Sequence, residues 1–119
     1  MKVLVAEDDR ILRKLICHQL KAAGFGLIET DNGKSALELA RAETPDIIIL
    51  DQIMPVMDGI ETVKHIREDA NLRHIRILML SNLSSAEEEL NARKEGVDDY
   101  LTKPIDRDEM IASIRRLSQ

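Results

Sequence analysis

The segment DIIILDQIMP, residues 46–55, decides the fold. Its centre, residues 47–50, is an uninterrupted run of isoleucine and leucine, which is typical of a strand buried on both faces of a parallel sheet. The run ends at a carboxylate, Asp51, and a loop containing Pro55 follows. Because burying a carboxylate without a partner is costly, Asp51 either leads the chain into solvent or faces other charged groups.

The length and composition indicate one globular domain. The chain has 119 residues, of which 44% are hydrophobic and 33% are charged. This composition excludes a disordered chain, and this length can bury a core without disulfides or a structural metal. We therefore expect residues 1–119 to form a single domain.

Charge and aromatic content argue against nucleic acid as a partner of this domain alone. The net charge is −5, and Phe25 and Tyr100 are the only aromatic residues, so no stacking platform exists. The apolar runs are too short to span a membrane, and no signal peptide is visible. The single cysteine, Cys17, cannot form an internal disulfide. These features predict a cytoplasmic protein without a membrane partner.

Strand-like and helical segments alternate along the chain. The strand-like segments are residues 3–7, 27–30, 47–50, 75–80 and 100–102. Apolar residues recur at helical spacing between them, as at Ile11, Leu12, Leu15, Ile16 and Leu20. Five such pairs with short connections predict an α/β fold, a doubly wound five-stranded parallel sheet with helices on both faces.

Polar residues at helix starts fit this assignment. Asp31 or Asn32 can cap the second helix. Residues 84–88 offer a capping box for the fourth helix, and Asp106 begins the last one. Leu90 is the only large aliphatic residue of the fourth helix, which suits a weakly held, moving element, although the sequence alone favours an ordinary solvated helix.

Polar side chains follow the predicted strand ends, where ligands bind in open parallel sheets. They are Glu7, Asp8 and Asp9 after strand one, Asp51 after strand three, Ser81 and Asn82 after strand four, and Lys103 and Pro104 after strand five. We therefore predict that Asp51 faces Asp8 and Glu7. Taken singly, these acids also suit a helix start, and a lone serine or lysine is an ordinary surface residue.

Carboxylates that lie this close repel one another, and a divalent cation relieves the repulsion. Carboxylate oxygens and water suit Mg²⁺, which binds through only one or two protein carboxylates. Asp51 is then placed to act as a nucleophile toward phosphorus, because aspartate can form an acyl phosphate. Ser81 and Lys103 would contact the phosphoryl oxygens.

Four motifs resemble the receiver domains of two-component response regulators. They are VAEDD at residues 5–9, ILDQIMPVMDG at 49–59, LMLS at 78–81 and DDYLTKP at 98–104, in an order and spacing that fit nearly the whole chain. The resemblance implies a flavodoxin-like (βα)5 fold with strand order 2-1-3-4-5. It also implies a phosphorylation-dependent switch rather than an enzyme.

The resemblance assigns a role to each site residue. Asp51 would be phosphorylated, with Ser81 and Lys103 assisting and Lys103 joined to Pro104 by a cis bond. Mg²⁺ or Mn²⁺ would be held directly by Asp8 and Asp51, through water by Glu7, and by the backbone carbonyl of Ile53. Ser81 and Tyr100 would form the switch, in which the ring turns inward after phosphorylation, and Asn82, Ile53, Pro104 and Asp9 would flank the site.

The resemblance also implies partners. The phosphoryl donor would be the phosphohistidine of a sensor histidine kinase or of a histidine phosphotransfer protein. The output would be an unidentified domain or partner protein. A homodimer would form through the last two helices and the fifth strand.

Two residues depart from the common pattern of the family. Asn82 stands where a small residue is frequent. Ile53 is apolar and cannot orient an attacking water, so we hypothesise that it slows hydrolysis of the acyl phosphate.

Three other functions compete with this reading. A phosphatase of the haloacid dehalogenase type shares the aspartate nucleophile and Mg²⁺, but it needs a second aspartate at the position of Ile53. A flavin carrier needs a phosphate-binding loop after strand one, where Glu7, Asp8 and Asp9 would repel phosphate. A receiver that works without phosphorylation would typically lack these acids.

Overall fold

The computed structural model describes residues 1–82 and 85–119 and contains one five-stranded parallel sheet flanked by helices. The strands are β1 (Lys2–Ala6), β2 (Gly26–Thr30), β3 (Ile47–Asp51), β4 (Arg76–Ser81) and β5 (Asp99–Thr102). The helices are α1 (Arg10–Ala22), α2 (Gly33–Glu43), α3 (Gly59–Glu68), α4 (Ala86–Glu95) and α5 (Arg107–Leu117). The strand order is β2-β1-β3-β4-β5, so the predicted fold class and order are confirmed.

Side chains from the two faces of the sheet form two separate cores. Alternate residues of a strand point to opposite faces, so Ile48 joins one core and Ile47 and Ile49 join the other. The first core packs α2, α3 and α4, and the second packs α1 and α5. Every residue of β3 is buried, as the apolar run at residues 47–50 predicts.

The register of the central strands sets the position of the site. Ala6 pairs with Leu50, and Asp51 pairs with Leu80. The residue after β1, Glu7, therefore ends beside Asp51. Since all strands are parallel, their carboxyl ends lie along one edge of the sheet.

Helix caps agree with the sequence except in detail. Asn32, not Asp31, caps α2, since its side chain accepts from the backbone N–H of Ser35 at 2.8 Å. Ser85 caps α4 through Glu88, whereas Ser84 lies outside the described residues. Asp106 caps α5 as predicted.

The structure confirms α1, but only some of the apolar residues that predicted it are buried. Ile16 and Leu20 are buried, but Ile11 is 82% exposed and Leu15 is 50% exposed. Ile16 and Leu20 are one helical turn apart, and the side of α1 that carries them faces the sheet. Ile11 and Leu15 therefore lie on an exposed side of the helix. These two side chains form an exposed apolar strip on the first half of α1.

Helix α4 contributes little to the core. Ala92 is its one buried residue among those described, and Leu90 is 56% exposed. No helix in the described part of the chain is both long enough and apolar enough to cross a membrane.

Candidate functional site

Three carboxylates meet at the carboxyl edge of the sheet. Oxygens of Glu7, Asp8 and Asp51 all lie within 4.8 Å of one another. Glu7 is fully buried and Asp51 is 5% exposed, whereas Asp8 is exposed. The structure thus brings together the acids that the sequence predicts to converge.

The turn after β1 holds Glu7 in place. The backbone N–H of Glu7 donates to Thr30 O at 3.1 Å, which extends the pairing between β1 and β2 by one residue. The backbone N–H of Asp9 donates to Glu7 Oε2 at 3.1 Å. The Asp9 side chain accepts from the N–H groups of Ile11 and Leu12 and so begins α1. Asp9 therefore caps a helix at the rim of the site.

Close packing fixes the path of the loop that connects Asp51 to Gly59. The N–H of Gly59 donates to Gln52 O at 2.8 Å. A Cβ at position 59 would lie 2.5 Å from the carbonyl oxygen of Asp51, so only glycine fits there. The loop between them contains Val56 at φ +70°, a left-handed conformation that β-branched residues rarely adopt.

Lys103 reaches the acids from the end of β5. Its Nζ lies 2.8 Å from Glu7 Oε1 and 3.2 Å from Asp51 Oδ1. Its backbone N–H donates to Ser81 O at 2.7 Å, which ties the lysine to the end of β4. The bond from Lys103 to Pro104 is cis, as predicted.

Burial and neighbouring charges shift the proton affinities of this group. Burial, together with the nearby Glu7 carboxyl, raises the pKa of Asp51 from 3.8 to about 7, while Lys103 opposes the shift. Burial alone would lower the pKa of Lys103, but the Glu7 and Asp51 carboxylates outweigh it and raise that pKa. Asp51 therefore gains or loses its proton near neutral pH in the metal-free protein.

The site opens to solvent through a cavity of about 280 Å³. Its lining consists of Glu7, Asp8, Asp9, Asp51, Ile53, Ser81, Asn82 and Lys103. Ser81 is 1% exposed and Ile53 is 65% exposed, so the hydroxyl belongs to the floor and the isoleucine to the rim. Two predicted residues do not line this cavity: Pro104 follows Lys103 outside it, and Tyr100 is buried beneath the surface.

The chemistry of this cavity fits a small hard cation. Glu7 Oε1 is buried and, despite its ion pair with Lys103, has no well-formed hydrogen bond within residues 1–82 and 85–119. Four acidic residues and one lysine line the cavity, so negative charge exceeds positive charge there. Oxygen ligands of this kind suit Mg²⁺.

Sequence reasoning missed two contacts of the site. Arg13 donates to the backbone carbonyl of Glu7 at 2.8 Å, and Gln52 accepts from the hydroxyl of Tyr100 at 3.3 Å. The signal for Arg13 was its place one turn after Asp9, because helical side chains lean toward the helix start. The Gln52 contact had no such signal, since it joins the residue after β3 to a residue of β5 that lies 48 positions further along the chain.

Comparison with known proteins identifies the family. The profile of the response regulator receiver domain matches residues 3–115. The chain belongs to this family. It is thus a receiver domain of the two-component signalling systems, with the flavodoxin-like fold of those domains.

Relatives and solved structures agree with this membership. The phosphate regulon transcriptional regulatory protein PhoB of Escherichia coli (strain K12) is 32% identical over 96% of this chain, and the chain spans about half the length of that regulator. The receiver domain of the Francisella response regulator 1452 is 37% identical, with a TM-score of 0.93 over 98% of this chain and 95% of that one.

A third relative carries the cation. The receiver domain of the sensor histidine kinase PA1611 from Pseudomonas aeruginosa PAO1 is 27% identical, with a TM-score of 0.91 over 98% of this chain and 96% of that one. That structure has a magnesium ion coordinated in its active site cleft.

Proposed function

We propose that this receiver domain is switched by phosphorylation of Asp51. One observation carries the proposal: the buried Asp51 carboxylate lies among Glu7, Asp8 and Lys103 in a single open cavity. Such an arrangement stabilises negative charge on a phosphoryl group through the lysine and through a cation held by the acids.

The acids would hold Mg²⁺ or Mn²⁺. Asp8 and Asp51 would bind the ion directly, Glu7 would hold it through water, and the carbonyl of Ile53 would complete the protein ligands. When bound, the ion neutralises the carboxylates and screens the charge of the incoming phosphoryl group. The magnesium ion in the PA1611 receiver domain supports this assignment.

The reaction transfers a phosphoryl group from the imidazole of the donor to the carboxylate of Asp51. A carboxylate oxygen of Asp51 forms a bond to phosphorus as the bond from phosphorus to the donor imidazole nitrogen breaks, and the imidazole leaves with the electron pair. Lys103 and the Ser81 hydroxyl then contact the phosphoryl oxygens. Because the attacking group must be ionised, proton loss from Asp51 precedes transfer.

The donor would be a histidine kinase or a histidine phosphotransfer protein. Ile53 is exposed on the cavity rim, and Ile11 is exposed in the first turn of α1, the helix that the cavity residue Asp9 caps. Leu15 continues this strip along α1. An apolar surface around a reactive carboxylate suits a protein donor better than a small molecule.

Signal transmission would use Ser81 and Tyr100. Tyr100 is only 6% exposed and its ring packs in the first core, so the inward position expected after phosphorylation is already occupied here. Phosphorylation would therefore favour one of two existing packings, as in a population shift. The contacts of Ser81 with the phosphoryl group would supply the bias.

The output lies beyond this unit, which we take as one domain over residues 1–119. The predicted homodimer through α4, β5 and α5 would have to use charges that are now paired within the chain. Asp99 accepts from Ser113 at 2.6 Å and from Arg93 at 3.1 Å, and it also bonds Arg116. We retain the dimer, an output domain or partner protein, and a cytoplasmic location as parts of the proposal.

The phosphatase alternative is weaker. Its acid would have to stand at position 53, where the side chain is an apolar residue on the cavity rim. Family membership gives that alternative no support.

The proposed function is tested by intact mass after incubation with a small phosphoramidate donor and Mg²⁺. We expect one phosphoryl adduct, which is lost with chelator and in Asp51→Asn. Asp9→Asn is the matched control, because Asp9 lines the cavity but caps a helix, and it should retain the adduct. Steady turnover of a phosphomonoester would instead support the phosphatase.

A further inference from the structure

The guanidinium of Arg13 contacts the backbone of the acidic cluster and is not among the residues that line the cavity. Arg13 Nη1 donates to the backbone carbonyl of Glu7 at 2.8 Å. Its Nε donates to Glu29 Oε1 at 3.1 Å. The Arg13 side chain is 14% exposed, and its bond to Glu7 is partly shielded from water, whereas its contact with Glu29 lies at the surface.

The two contacts join three elements. Arg13 belongs to the second turn of α1, Glu29 belongs to β2, and Glu7 is the first residue after β1. Helical side chains lean toward the helix start, so the arginine reaches back over the turn that Asp9 caps. Arg13 thereby ties the turn from strand to helix to the neighbouring strand.

Electrostatic repulsion between carboxylates acts on this turn. Glu7, Asp8 and Asp51 have oxygens within 4.8 Å of one another, and like charges at this distance repel. Movement of residues 7–9 away from β3 would relieve the repulsion. The backbone bond from Glu7 to Thr30 opposes that movement, and Arg13 also opposes it because it links the Glu7 carbonyl to Glu29 on β2.

We propose that Arg13 is a positioning residue that keeps Glu7 and Asp8 in the geometry that binds a divalent cation. The inference rests on the proposed function, since it concerns the same cation site. Arg13 lines no part of the cavity, so it acts through the backbone of Glu7 and not by contact with the ion. Glu29 orients the guanidinium and neutralises part of its charge.

Lys14 supplies a matched control. It also pairs with Glu29 Oε1, at 2.8 Å, but has no contact with Glu7 among those described. Replacing either cation by glutamine changes the net charge equally and removes one partner of Glu29. Only the arginine substitution removes the bond to the turn.

The test is calorimetric titration of the metal-free full chain with Mg²⁺, paired with thermal unfolding in chelator. We expect Arg13→Gln to bind Mg²⁺ about tenfold more weakly, the loss typical of outer-shell partners. Lys14→Gln should change the affinity less than about twofold, since it touches no ligand. Arg13→Lys should fall between, because an ammonium cannot donate in two fixed directions.

Three results would overturn the inference. Equal Mg²⁺ affinity in Arg13→Gln would show that the bond does not position the acids. Tighter Mg²⁺ binding by Arg13→Gln would show that the repulsion between the arginine charge and the ion outweighs the bond from Arg13 to Glu7. A lower unfolding temperature in chelator with unchanged Mg²⁺ affinity would reduce Arg13 to a structural role.

Two further measurements keep the result interpretable. If Arg13→Gln does not fold, Glu29→Met removes the acceptor that orients Arg13 and should weaken Mg²⁺ binding in the same direction. Wild-type protein that binds no Mg²⁺ at millimolar concentration would overturn the proposed function as well. Wild-type binding with no effect of either variant would overturn the inference alone.

Discussion

The hydroxyl of Tyr100 donates to Oε1 of Gln52 across 3.3 Å. Gln52 directly follows Asp51, and Tyr100 belongs to β5, two strands away from β3. This bond connects the residue after the proposed phosphoacceptor to the proposed switch aromatic. It holds the ring inward before any phosphoryl group is present, which makes the inward packing partly independent of phosphorylation.

Replacing Gln52 with methionine should let Tyr100 spend more time outside the core. The side chain keeps its size but loses its acceptor. A hydrogen bond of this type contributes roughly 0.5–1.5 kcal/mol, so the outward population should rise roughly two- to tenfold. The chain has one tyrosine and no tryptophan, so quenching of its ultraviolet emission by acrylamide reports this ring alone.

Gln52→Glu serves as the control for that experiment, because it keeps an acceptor at the same place. Its tyrosine should be quenched no more than in the wild type. Equal quenching in Gln52→Met and wild type would show that the bond does not hold the ring.

The raised pKa of Asp51 predicts a specific dependence of stability on pH in chelator. The folded carboxyl binds its proton up to about pH 7, whereas the unfolded carboxyl loses it near 3.8. The folded state therefore binds more protons between these values, and the Asp51 contribution to stability is lost as pH rises through them. The neighbouring Glu7 carboxyl adds to the rise in the Asp51 pKa, and Lys103 reduces it.

Asp51→Asn removes this titration and should stabilise the metal-free protein at pH 8 on the order of 2 kcal/mol, with a smaller gain at pH 5. Urea unfolding at both values measures the difference between the two proteins. A gain that does not grow with pH would contradict the assignment, since the other titrating groups are common to both.

Ile53→Asn should accelerate loss of the phosphoryl group from Asp51. Ile53 stands on the cavity rim and offers no hydrogen bond to an attacking water. An amide at this place can orient that water, and such positioning contributes severalfold to tenfold or more to rates. Intact mass over time after removal of the donor measures the lifetime, with Ile53→Leu as the apolar control. An unchanged or longer lifetime in Ile53→Asn would end the hypothesis.

Val56→Asn should stabilise the protein. Val56 has φ +70° and is 78% exposed, so its conformation is strained and its side chain packs little. Asparagine tolerates the left-handed region, and relief of this strain is expected to gain about 1 kcal/mol. Val56→Ala keeps a Cβ in the same conformation and should gain less. Urea unfolding without Mg²⁺ measures the stability of both variants and the wild type. A Val56→Asn protein less stable than the wild type would show that the conformation of Val56 is not strained.

Lys103→Ala should still accept a phosphoryl group, more slowly, yet fail to transmit it. Lys103 lies between Glu7 and Asp51, so its loss leaves both carboxylates without their cation. Mass measures acceptance, and the response of Tyr100 emission to phosphorylation measures transmission. Lys64→Ala, at an exposed position of α3, is the control and should match the wild type in both acceptance and transmission. A normal Tyr100 response in Lys103→Ala would show that transmission does not need the lysine.

The sequence was sufficient for the fold because its signals are local and repeated. A run such as residues 47–50 and the apolar periodicity of each helix are visible in short windows. The order of the strands came from family resemblance. The helical spacing in α1 predicted the helix but not which apolar side chains meet the sheet, and Ile11 and Leu15 are exposed.

The sequence by itself determined which acids, hydroxyl and lysine stand at strand ends, since parallel strands of similar length end at one edge. Only the tertiary structure decided that Asp51 is buried beside Glu7, that Arg13 ties the turn to β2, and that Gln52 bonds Tyr100. These contacts join residues that are distant along the chain. Their energies depend on distance, burial and donor direction, which packing sets and no short window of sequence contains.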